Sequence, residues 1–448
     1  MANSWSNSIF TIDTNCNYTQ LSGYKGSEPD STDTINISVG VVITLDGSTA
    51  TYNTINGPGT LAYNTPVTLT GNIISSNQAA PMLTVAATNL VTLNGNLTGG
   101  SNGAGIGITI TGGTLTFNGL ATGGAAAPAI NITGGNLSQG TGHANIRAGT
   151  VPGLTATSGT GTIVISDSTA VAGVNGTTIT ACSSFTATGQ IQGGTTGIGV
   201  SLVTTATTVI LDGAIIRGGT GGSSYGISIS STIGTVSFSG TTCYGGSGGT
   251  TAYGVFYQKT AIWSGCITCY AGSSTISHGF HTSSLTGNLT ATNGVAACYG
   301  GTSTGHGFNL ATTAYAGTCV IGYAEGGQIA GSHGFNTMSC TTFTPTYTIT
   351  KCKGGIVDGA YGVKILTCTN LTVVEIDTTG VGSPIVWGPT TQSWPENLGL
   401  CFLSGATYVD YRSNTAAAAL NLSTTPNSIG PYPVSDTTHS IGPYPLSS

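Results

Sequence analysis

Charge is what this chain has least of. Only 5% of its 448 residues are Asp, Glu, Lys or Arg, eight of them basic and fourteen acidic. An ordinary soluble domain carries about a quarter charged residues. Eight cations under a net charge of −6 leave no basic footprint for nucleic acid. Long apolar runs are missing too, so no membrane-spanning helix is expected. Met1 to Ser6 has no basic cluster leading into an apolar core, so no signal peptide is expected either. Outside the tail there is no apolar stripe at helical spacing, and 72 glycines penalise helix throughout. No Gly-X-Y period is present, which excludes collagen. A hydrophobic share of 38% is too high for a disordered chain.

What is present is a beat. An aromatic residue, Gly and a hydrophobic residue recur as Tyr225-Gly226-Ile227, Tyr253-Gly254-Val255, His278-Gly279-Phe280, His306-Gly307-Phe308, His333-Gly334-Phe335 and Tyr361-Gly362-Val363. By subtraction the spacings are 28, 25, 28, 27 and 28 residues. A second phrase keeps the same period: Ile216-Arg217-Gly218-Gly219, Cys243-Tyr244-Gly245-Gly246, Cys269-Tyr270-Ala271-Gly272, Cys298-Tyr299-Gly300-Gly301, Ala324-Glu325-Gly326-Gly327 and Cys352-Lys353-Gly354-Gly355. Two markers with one period indicate a repeat architecture. Between them lie short alternating runs such as Thr235-Val236-Ser237-Phe238-Ser239, the pattern of strands with one buried face. Short strands bent at glycines cannot bury a core singly; stacked as parallel rungs about 4.8 Å apart, they can. The expected fold is all-β, a parallel β-solenoid with right-handed coiling.

Three regions follow. Residues 1–55 are less periodic and are expected to form an N-terminal cap or attachment segment, with Trp5 as a candidate assembly residue. Residues 56–378 carry the beat through roughly 12–13 coils, about 60 Å of stacked rungs. Residues 379–448 lose it at Pro384, Pro389 and Pro395, since proline cannot donate within a ladder. There Leu398 to Tyr411 reads as a hairpin or a terminal strand pair and Thr415 to Leu420 as a short helix. The tail holds an exact hexapeptide repeat, Ser-Ile-Gly-Pro-Tyr-Pro. Its Pro431, Tyr432 and Pro433, then Pro443, Tyr444 and Pro445, are candidate docking residues in an extended conformation.

Several ladders carry side chains capable of chemistry. Cys243, Cys269, Cys298 and Cys352 should stack, and buried free thiols filling a corner is the reading favoured over disulfides. His278, His306 and His333 share another position, where a metal site or a pH-sensitive patch competes with a simple aromatic ladder flanked by Tyr253 and Tyr361. No metal or other cofactor is expected. Tyr244, Tyr270 and Tyr299 alternate with the cysteines, so they face outward and are candidates for gripping sugar rings or a partner. The carboxylates Asp167, Asp212, Glu325, Asp358, Glu375 and Asp377 fall at different points of the coils. No pair stands one coil apart on one face, as glycoside hydrolysis would need, so the balance leans away from an enzyme. Thr-x-Thr pairs occur at Thr109/Thr111 and Thr114/Thr116, the raw material of an ice-binding face, but the spacing does not hold them in one register across coils.

In coil length, glycine-punctuated strands and ladders, residues 56–378 resemble the parallel β-helix (pectate-lyase-like) proteins of the phage tailspike and fibre type. The resemblance is architectural, with no catalytic motif carried over. It implies a structural or adhesive virion component: a homotrimer contacting other virion proteins and a surface glycan, extracellular once the virion is released. A polysaccharide-degrading tailspike and a cell-surface or filament-forming adhesin are the alternatives.

Overall fold

The computed structural model describes most of residues 2–377, with short breaks of which 140–145, 166–175 and 355–361 are the longest. Beyond residue 377 it describes only Ile385–Trp387, Asn397–Ser404, Tyr408–Asp410 and Ala418–Leu420. The Pro-Tyr-Pro candidates lie outside these residues, as do Tyr361 and Asp358. The fold is nearly all β, with parallel strands stacked into a β-solenoid of about 11 turns. The beat gave roughly 12–13; some of its weaker phrases fall on residues 140–175, which the structure describes only in part. Among the described residues no helix is long and apolar enough to cross a membrane.

The chain divides into two compact units, Met1–Ser237 and Phe238–Ser448. In the first, Leu83, Ile108, Ile130 and Leu154 succeed one another on neighbouring rungs, as do Leu69, Leu93 and Phe117. All seven are fully buried. Alternation along each strand puts these side chains inside and most of the Thr, Ser and Asn between them outside. The ladder starts well before residue 56: Ile9–Ile12 pairs in parallel with Thr34–Ile37, and that strand with Thr49–Gly57. Ser4–Ser6 runs antiparallel along Ile9–Ile12 and covers its free edge, which would otherwise invite pairing with another chain.

The second unit is filled by aromatics. Phe280, Phe308 and Phe335 lie on successive rungs, fully buried, with ring centroids 4.5 and 5.7 Å apart. Burying each stabilises the stack by about 2–3 kcal/mol. The glycines beside them explain the recurring phrase. A Cβ on Gly307 would sit 2.7 Å from both N and O of Glu325, and one on Gly279 would meet Tyr299 N at 2.8 Å. Only glycine lets these strands approach the backbone of the strand that follows them in the coil. Rungs also continue past residue 378, through Ile385–Trp387 and Asn397–Ser404, where Leu398, Leu400 and Phe402 keep the alternation without the double glycine. Asn397–Ser404 is thus a rung instead of half a terminal pair. Ala418–Leu420, expected as helix, is a strand antiparallel to Tyr408–Asp410.

Candidate functional site: side-chain ladders of the second unit

The tyrosine row forms as the alternation requires. Cys243, Cys269 and Cys298 are fully buried, and Tyr244, Tyr270 and Tyr299 beside them are half-buried on the other face. Their rings stack face to face, 4.9 Å apart at 8° and 4.7 Å apart at 5°. Tyr323 then leans on Tyr299 at 55° with centroids 5.6 Å apart. Stacked this closely, the rings cover each other's faces. A sugar ring needs a bare aromatic face, so what Tyr270 and Tyr299 offer to solvent is ring edges and hydroxyls. Burial, Tyr270 and Glu325 push the Tyr299 phenol up.

The row ends in charge. Glu325 takes the next position after Tyr299, then Lys353, then Asp377; beside it run Tyr323, Lys351 and Glu375. Glu325 pairs with Lys353 at 3.0 Å and accepts a hydrogen bond from the Tyr323 hydroxyl at 3.0 Å. Acid and lysine therefore alternate from rung to rung, so no two carboxylates stand on adjacent rungs of either column. This cluster was hidden in the sequence because its members come from three coils. Alternating sign is what a self-supporting charge ladder looks like.

The histidines are buried. His278, His306 and His333 are 5%, 6% and 2% exposed, their rings parallel and 4.8 and 4.9 Å apart. Tyr253 stacks on the His278 end at 5.0 Å. Nδ1 of His278 accepts the backbone N–H of His306 at 2.9 Å, and Nδ1 of His306 accepts that of His333 at 3.0 Å. Those two rings are therefore neutral with the proton on Nε2. His281, 8% exposed, lies 4.9 Å from His278. Burial, reinforced by His306 and His281, holds the His278 imidazole well below its usual range, and burial takes His281 down to about 4. With both Nδ1 lone pairs occupied, His278 and His306 have none there to give a metal. Among the described residues no group of three or more His, Cys, Asp or Glu is placed to hold one.

The cysteine column runs Cys269, Cys298, Ala324 and Cys352 in register, with alanine filling the gap in the spelling. Cys16, Cys182, Cys243, Cys269, Cys298, Cys319 and Cys352 are free thiols. Burial, with the neighbouring thiols, pushes Cys298 well up, and burial alone does the same to Cys352. Such thiols are protonated and inert. In the first unit, Trp5 packs against Phe10 at 6.2 Å and donates to Asp33 at 3.4 Å, so it is held within the N-terminal segment.

The threonines correct the sequence reading. Thr49, Thr68, Thr92, Thr116 and Ser138 follow each other on five rungs in one register. Thr51, Thr70 and Asn94 form a second column alongside. All eight are exposed or half-buried, and none is charged. Thr109, itself buried, belongs to a different column, between Thr84 and Asn131. Unequal coil lengths had masked this register.

No family model, curated protein or solved structure matches the chain.

Proposed function

We propose that this chain is a structural and adhesive virion component, a fibre, spike or capsid-decorating element that works as a homotrimer. One observation carries the reading. Among the described residues, the imidazoles, phenols and the Glu325 carboxylate lie in columns along the stacking direction and are engaged by their own neighbours: imidazole by backbone N–H, tyrosine ring by tyrosine ring, Glu325 by Lys353. Catalysis needs a reactive group turned toward a substrate and tuned for it, whereas a scaffold needs cohesion from rung to rung. Native mass spectrometry of the full chain tests the proposal. A trimer is expected; a monomer at every concentration removes the fibre reading. Release of reducing ends from bacterial polysaccharides would instead favour the degrading tailspike, with Glu325 the first residue to substitute.

A second reading rests on the threonine columns of the first unit. Two columns repeating at rung spacing, threonine except at Ser138 and Asn94 and free of charge, are the chemistry that could order water against an ice surface. Inhibition of ice recrystallisation by the full chain, abolished by Thr92→Lys, would support it; no inhibition by the wild type removes it.

A further inference from the structure

The imidazole column has a property that the scaffold role does not require. His278 and His306 each offer Nδ1 to the backbone N–H of the histidine one rung on. Since Nε2 already bears the ring proton, the next proton can go only to Nδ1. Adding it removes the acceptor, breaks the bond between rungs and leaves a cation among stacked imidazoles less than 5 Å away.

The surroundings supply little to compensate that charge. Tyr253 covers the outer face of His278, and His281 lies beside it. From the strands packed behind, the residues at the neighbouring rungs are Tyr299, Glu325 and Lys353, whose backbone atoms crowd Gly279, Gly307 and Gly334, with Cys298 next to them. Glu325 is the one carboxylate among these, and Lys353 and Tyr323 already hold it. On the neighbouring column the partners are the amides of Asn309 and Asn336, which do not titrate.

We propose that the His278–His306–His333 column is an acid-opened latch. Protonation at Nδ1 releases its hydrogen bonds between rungs and loosens the rungs around Phe280, Phe308 and Phe335, while the apolar columns of the first unit stay closed. The sign follows from linkage. An unfolded histidine takes its proton near pH 6.5, whereas His278, buried beside His306 and His281, resists until lower pH. The latch is therefore fully closed above about pH 6.5 and weakens as pH falls below it. Four of the chain's six histidines lie at this one place, against one, His143, in the first unit, so the response is expected in the second unit.

Hydrogen exchange by mass spectrometry on the full chain, corrected for the pH dependence of intrinsic exchange, reads the latch at pH 7.5 and 4.5. Peptides covering 278–283, 306–311 and 333–337 should lose protection at least tenfold at the lower pH and recover it on return. Peptides covering 67–75 and 108–117 should not change. The double variant His278→Asn/His306→Asn keeps an acceptor for each backbone N–H and cannot titrate, so it should remain protected at both pH values. Equal protection of the wild type at both pH values overturns the proposal, and so does a double variant that opens with the wild-type midpoint. Nitrogen NMR of the wild-type imidazoles at pH 7.5 decides it independently should the variant not fold: a proton on Nδ1 of His278 or His306 would rule the latch out.

Discussion

Asn336 donates from Nδ2 to Oδ1 of Asn309 at 2.7 Å, and Asn309 in turn donates from Nδ2 to Nδ1 of His281 at 2.8 Å. All three side chains are at least nine-tenths buried. The chain of donors runs one way, and it fixes His281 as a neutral ring protonated at Nε2. Replacing Asn309 with Leu removes the middle link and leaves two buried polar groups facing it without partners. The expected loss is about 2–4 kcal/mol, read as faster exchange or a lower urea midpoint for the second unit. Asn309→Asp would retain an acceptor for Asn336 but bury a carboxylate, and should be no better tolerated.

Thr282 gives the opposite sign. Its side chain is 1% exposed and its hydroxyl has no hydrogen-bond partner. Thr282→Val keeps the shape and deletes the unsatisfied group, so it should stabilise the second unit by about 1 kcal/mol. A melting temperature that falls would mean the hydroxyl is satisfied in solution.

Two glycines separate two kinds of cost. At Gly307 a methyl group would meet the backbone of Glu325 at 2.7 Å and Cys298 O at 2.8 Å, and neither can move without disturbing a ladder. Gly307→Ala should cost several kcal/mol, about 3 or more. Gly213 has open space but a φ of +68°, so Gly213→Ala should cost only about 1 kcal/mol from left-handed strain. If the two variants unfolded at the same denaturant concentration, close packing would not be the reason for the recurring glycine.

These glycines also show what could be read from the sequence. His-Gly-Phe and Cys-Tyr-Gly-Gly recur because every coil makes the same tight approach at the same place, so the physical constraint writes itself into the spelling. The cysteine column was legible even across Ala324, since alanine fills the same small inward site. The end rungs were harder. Ile9–Ile12 and Asn397–Ser404 keep the alternation of their neighbours but lack the glycine phrases that fix the period. The threonine face escaped for a related reason: register is set by pairing, and loops of unequal length shift sequence spacing without shifting pairing. The self-covered tyrosine faces depend on side-chain torsions, and no spacing encodes those.

The buried thiols make a chemical prediction. Cys243, Cys269, Cys298, Cys319 and Cys352 are fully buried, and burial pushes Cys319 and Cys352 up. An alkylating reagent at pH 8 without denaturant should leave all five unmodified while Cys16, half-buried at the start of the chain, reacts slowly. Cys298→Ala copies the residue already present one rung away at Ala324, so it should cost about 1 kcal/mol for the lost sulfur. Rapid labelling of Cys298 in the native protein would show that these rungs open far more often than a scaffold should.

At the other end of the chain, acid should act in a different window. Lys25 bridges Asp30 at 2.6 Å and the fully buried Asp33 at 2.5 Å, and Asp33 also takes the Trp5 indole N–H. Hydrogen bonds from Lys25 and Thr32 hold the Asp30 carboxyl well below its usual range. A depressed folded pKa supplies stability that is present above the unfolded value, about 3.9 for Asp, and is lost as pH falls below it. The N-terminal strands should therefore stay closed at pH 4.5, where the histidine column has begun to open, and fray only nearer pH 3. Lys25→Met leaves Asp33 buried without its cation and should bring fraying at neutral pH, seen as Trp5 fluorescence shifting to the red. Peptides covering 4–12 that lost protection together with 306–311 at pH 4.5 would show instead that one acid response runs through the whole chain.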